Sequence, residues 1–75
     1  MTDIELLVQL IQESGMPKTV IAERSGITRD RLYKILNGVD VKAVEIEGIS
    51  RTLKLNKVMR DKVFFAQKVV EQTTL

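Results

Sequence analysis

Seventy-five residues make one small domain, and a chain this short buries only roughly 60% of its unfolded surface. Cysteine and histidine are both absent, which excludes a disulfide framework and a cysteine/histidine metal site. The net charge of +2 is too small to argue for nucleic acid by itself, but its distribution is uneven. Residues 1–17 carry Asp3, Glu5 and Glu13 and no base. Residues 18–42 carry Lys18, Arg24, Arg29, Arg31, Lys34 and Lys42 against Glu23, Asp30 and Asp40. A basic middle follows an acidic head, a plausible electrostatic footprint for a polyanion.

No repeat, linker, signal peptide or membrane segment is visible, and the run IELLVQLI is short and broken by Glu5 and Gln9. A soluble cytoplasmic protein is the expectation. Every apolar cluster has helical spacing, so the chain is expected to be all-α with five helices in a single domain over residues 1–75.

Helix one is expected from about Asp3 to Ser14. Thr2 and Glu5 have capping-box spacing, Ile4, Leu7, Val8 and Ile11 form its stripe, and Gly15 ends it. Helix two starts at Pro17 or Lys18, because proline suits a first helical position; Ile21 and Ala22 face inward and Gly26 breaks it. Thr28 is an N-cap for helix three, which runs to Asn37 and stops at Gly38. Residues 17–38 are thus two short helices around one glycine turn. That is the shape of a helix-turn-helix, whose second helix enters the major groove of DNA.

Val39 to Lys42 is a loop. Helix four is expected over Ala43–Leu53, burying Ile46, Ile49 and Leu53. Gly48 within it costs about 1 kcal/mol relative to alanine and permits close packing. Asn56 caps a fifth helix from Lys57 to about Val70, and helix five with its tail spans 57–75. Its apolar residues form an arc. Met59, Val63, Ala66 and Val70 make one stripe, Val58, Phe65 and Val69 an adjacent one, and Phe64 lies on another side. That arc either covers the core or buries a second subunit or another protein; Val58, Phe65 and Val69 are the candidates for a dimer surface.

On a wheel of about 100° per residue, Leu32, Ile35 and Leu36 of helix three face the core. Asp30, Lys34 and Asn37 lie opposite, flanked by Arg29, Arg31 and Tyr33. Cations for phosphates and guanine edges, an amide and a phenol suit a DNA-reading face. A merely solvated helix with an Asp30–Lys34 pair is the alternative. Asp30 itself either accepts from a cytosine amino group or serves as an anion at the helix N-terminus. Catalysis has little support. Glu45 and Glu47 point to different sides of a helix, and the four glycines are isolated turn or packing residues with no phosphate loop. No enzyme activity and no cofactor are expected.

As a set, Ile21-Ala22, Gly26-Ile27, Thr28, Leu32, Ile35, Asn37-Gly38 and Leu53 resemble the Cro/CI-type, or lambda-repressor-like (XRE), helix-turn-helix family over nearly the whole chain. The closing RDKVFFA is similar to small phage and prophage regulators of Gram-positive bacteria. The resemblance implies a five-helix lambda-repressor-like fold and a transcriptional repressor. The partner would be double-stranded DNA, bound as a homodimer on a pseudo-palindromic operator, with a dimer that can be weak and complete only on DNA. By position, Lys18 and Thr19 would meet DNA at the start of helix two. Thr28, Arg29, Asp30, Arg31 and Lys34 would line the reading side, Tyr33 and Asn37 would approach the backbone, and Lys42 would reach the backbone or the minor groove from the loop.

Three departures from the family pattern stand out. Pro17 and Lys18 replace a polar cap and a glutamine, favouring a phosphate contact over a base contact. Arginine, aspartate and lysine replace the family's recognition-helix glutamines. Ile11 and Leu36 stand where many members pair an arginine with a glutamate, so both are expected to be buried and touching. A protein-binding adaptor or antirepressor-like partner, acting through helix five, is the alternative role.

Overall fold

The structure, a computed structural model, describes residues 1–66. It contains five helices: α1 (Ile4–Ser14), α2 (Lys18–Ser25), α3 (Arg29–Leu36), α4 (Ala43–Thr52) and α5 (Lys57–Phe64). Among the described residues, no helix is long and apolar enough to cross a membrane.

Local chemistry accounts for each boundary. Asp3 caps α1: its Oδ1 accepts from the Leu6 N–H at 3.1 Å. The expected Thr2–Glu5 box is therefore replaced by a cap one residue later. In extended backbone the Asp3 carboxylate reaches the open amides directly. The Asp3 N–H also donates to the Val63 carbonyl at 2.6 Å, tying the start of α1 to α5. Pro17 sits just outside α2 with φ −65°, and makes no side-chain cap. Gly26 takes φ +80°, a left-handed conformation that costs glycine little. The Ile27 N–H then donates back to the Ala22 carbonyl at 3.0 Å, closing the turn. Thr28 Oγ1 accepts from the Arg31 N–H at 3.0 Å and starts α3 as expected. Asn37 and Leu53 are the C-caps of α3 and α4, not their last helical residues.

The core is Leu7, Ile11, Ile21, Ala22, Leu32, Ile35, Ile49, Val63 and Phe64. Leu36, Ile46, Leu53 and Met59 are half-buried around it. Ile11 is thus enclosed as expected, whereas Leu36 closes the edge of the core without being fully covered. Helix five differs most from expectation. Phe64 is 2% exposed and belongs to the core, not to a separate side. The helix ends there, because Phe65 at φ −123° leaves helical backbone. Val69 and Val70, which the expected helix included, lie outside the described residues.

α2 packs against both α3 and α4, while α1 meets α3 and α5. The α2–α4 contact is a backbone contact. A Cβ built on Gly48 would overlap the Ser25 carbonyl oxygen and stand 3.1 Å from its carbonyl carbon. Ser25 Oγ also donates to Thr52 Oγ1 at 3.1 Å, one turn further along α4. Gly48→Ala should therefore destabilise the domain by roughly 1–3 kcal/mol in denaturant unfolding, despite alanine's better helix propensity. A variant as stable as the parent would show that the two helices are free to separate.

Candidate nucleic-acid interface

α3 turns its apolar side inward through Leu32 and Ile35, each fully buried. That rotation leaves Arg29, Asp30, Tyr33, Lys34 and Asn37 exposed on the opposite side. Lys18 and Thr19, in the first turn of α2, and the cap residue Thr28 are exposed too. The turn at Gly26 brings the start of α2 beside α3. Lys18 Nζ stands 6.0 Å from the centre of the Tyr33 ring, and Arg29 Cζ stands 5.8 Å from it. Both distances fit cation–π attraction, so Tyr33 gathers two cations from two helices. Lys18, Tyr33, Leu36 and Asn37 line a shallow cleft of about 160 Å³. A phenol, an amide and an ammonium around one concave spot are hydrogen-bond donors suited to a phosphate.

Lys34 and Asp30 form no ion pair with each other among the described residues. The solvated Asp30–Lys34 pair is therefore not formed, and the Lys34 ammonium is left to other partners. Asp30 lies in the first turn of α3, where a carboxylate is favoured by the open amides.

Arg31 is placed differently from its neighbours. Its Nε donates to Glu45 Oε2 at 2.7 Å and its Nη2 to Glu45 Oε1 at 2.8 Å. Nη2 also donates to the Asp40 carbonyl at 2.9 Å. Glu45 Oε1 accepts in addition from the Lys42 N–H at 2.8 Å. The guanidinium expected on the DNA-facing side is thus engaged with α4 and the preceding loop. Lys42 itself is exposed at the end of that loop. Glu45 is the functional residue that sequence reasoning missed. The available signal was its position three residues after the N-cap of α4, where a glutamate reaches back to the cap amide. Nothing in the spacing links it to Arg31.

The Arg31 hydrogen bonds hold the Glu45 carboxyl below the ordinary glutamate value; burial opposes them and the Lys42 N–H adds to them. The same pairing raises the Arg31 guanidinium. Because the folded Glu45 binds a proton less tightly than the unfolded one, its contribution is present above the ordinary glutamate range. It is lost as pH falls through the lowered folded value. In an acid titration of unfolding free energy, Glu45→Gln should be less stable than the parent at neutral pH and should lose less on acidification. Parallel titrations of parent and variant would contradict the pairing.

Residues 1–39 match the helix-turn-helix domain of resolvase. The match takes in α1, α2, the Gly26 turn and α3, the same helix pair that carries the resemblance to Cro/CI-type domains. No curated protein and no solved structure matches the chain. The matched span covers more than half of the chain and ends just after the presented α3; the chain belongs to the family of the helix-turn-helix domain of resolvase.

Proposed function

We propose that this protein is a sequence-specific DNA-binding regulator, a Cro-like phage or prophage repressor that acts by covering an operator, without enzymatic activity. The helix-turn-helix domain implies DNA as the partner. One observation carries the reading furthest: α3 exposes Arg29 and Lys34 beside Lys18 of α2, with no carboxylate pairing any of the three among the described residues. Arg29 and Lys34 can donate to guanine O6 and N7, while Lys18 is placed to meet a phosphate. Asn37-Gly38 after α3 and Leu53 after α4 support the Cro/CI-type assignment.

A repressor of this kind would bind as a homodimer, its two α3 helices about 34–36 Å apart on a pseudo-palindromic site. A groove of about 560 Å³ between the start of α4 and the end of α5 supports a second copy as its occupant. Val44 and Phe65 at its edge are 71% and 51% exposed, and Val58 on α5 is 74% exposed. Glu47 and Arg60 line the same groove. One acid and one base around an apolar floor make a self-complementary patch, as a two-fold contact requires. No groove residue belongs to α2 or α3, so pairing there leaves the reading face open. The same groove is what favours the adaptor reading if the chain does not self-associate.

Selection of duplexes from a random pool tests the function. Half-site symmetry with the stated spacing is expected, and Val44→Glu should weaken both pairing in light scattering and binding. On the selected duplex, Arg29→Ala and Lys34→Ala should each cost roughly 1–3 kcal/mol and relax sequence preference. Lys18→Ala should weaken selected and scrambled duplexes alike and lower the salt slope by about one unit. Folded Arg29 and Lys34 variants that bind both duplexes as the parent does would favour the adaptor reading. A 1:1 complex on an asymmetric site would exclude the dimer.

A further inference from the structure

Among the described residues, Arg31 is the one cation of α3 paired with a carboxylate. Its side chain is 25% exposed and that of Glu45 9% exposed, and the pair is bidentate. Both Glu45 oxygens are occupied, Oε1 doubly, by Arg31 and the Lys42 amide. The remaining Arg31 bond goes to the Asp40 carbonyl. Two points of the loop between α3 and α4 are therefore fastened to one guanidinium–carboxylate unit. A bidentate arginine–carboxylate pair has a fixed planar geometry, so it transmits position as well as charge neutrality.

We propose that Arg31 is a positioning residue, and not a DNA contact. With Glu45 it fixes the loop against α3 so that Lys42 meets the DNA backbone in register with the reading helix. At the same time Glu45 withholds the Arg31 charge from phosphates. A cation neutralised in this way adds no sequence-independent affinity, because such affinity scales with the phosphates a protein neutralises. The pair thereby favours the selected sequence over bulk DNA. The inference rests on the DNA-binding reading.

The test is a salt series on the selected duplex and a scrambled duplex, with circular dichroism showing which variants are folded. Arg31→Gln should narrow the gap between the two duplexes, and in a Lys42→Ala background, where the loop contact is already lost, it should leave the salt slope unchanged. In the same background Glu45→Gln should release Arg31 to phosphates, steepen the slope by about one unit and tighten binding to the scrambled duplex. Loss of stability alone produces neither change at a temperature where the variant is folded. Arg31→Lys, which keeps the charge but not the bidentate geometry, should keep the slope of the Lys42→Ala background and, in the otherwise unchanged chain, lose part of the sequence preference. Should the variants fail to fold, the parent decides: on adding duplex, the Arg31 Nε–H resonance should hold its position while that of Arg29 moves. In the Lys42→Ala background, a slope lowered by about one unit with Arg31→Gln or unchanged with Glu45→Gln overturns the inference alone, as does an Arg31 resonance in the parent that moves as far as that of Arg29. A parent that selects no duplex overturns the DNA reading and this inference with it.

Discussion

The placement of α3 depends on one contact between backbones. α2 lies so close to α4 at Ser25 that only a residue without a side chain fits at position 48. This approach puts Ile21 and Ala22 of α2 and Ile49 of α4 into one enclosed core with Leu32 and Ile35 of α3. Gly26 then reverses the chain immediately after the contact, so the angle at which α3 leaves the turn is referred to a fixed wall. A glycine inside a helix weakens that helix by itself. Here the loss is offset by a tightness of packing that no larger residue allows, and a domain with so small a core has little other means of rigidity.

Electrostatics act on top of that frame, and they sort the cations of α3 into two groups. Arg29 is held near Tyr33 together with Lys18, and Lys34 is unpaired among the described residues. These charges face outward at little desolvation cost. Arg31, one helical position from Asp30, turns instead to Glu45 and the loop carbonyl of Asp40. The same residue type on the same short helix thus has opposite surroundings, decided by whether a carboxylate on another element comes within reach. α3 is consequently less basic toward a partner than its sequence suggests, and the loop after it is better fixed than a loop of that composition would be alone.

Much of this was legible in the residues. The five helices, the turn at Gly26, the Thr28 cap and the inward side of α3 followed from helical periodicity and capping chemistry, which are local. The close-packing role of Gly48 was foreseen in kind, but its partner Ser25 was not, because contact between distant segments leaves no periodic trace. Arg31 was assigned to the DNA-facing set for the same reason: a wheel records angle on one helix and is blind to Glu45 on another. Helix five was drawn too long because its apolar pattern continues past the residue, Phe64, at which the core is already filled. The match shows a helix-turn-helix of the resolvase type and leaves the finer Cro/CI-type assignment a proposal; helix-turn-helix units share the same turn and cap chemistry, so short motifs separate such families poorly.

The central claim is that the α2–α3 face, and not the α4–α5 groove, meets the principal partner as a DNA surface. Backbone amide shifts recorded while the selected duplex is added to the protein test this most directly. Changes centred on Lys18, Thr19, residues 28–34 and Asn37, with smaller ones at Lys42 and, where pairing accompanies binding, at Val44 and Phe65, are the predicted result. Shifts that begin in the groove around Val44 and Phe65 and leave Arg29 and Lys34 where they were would contradict it.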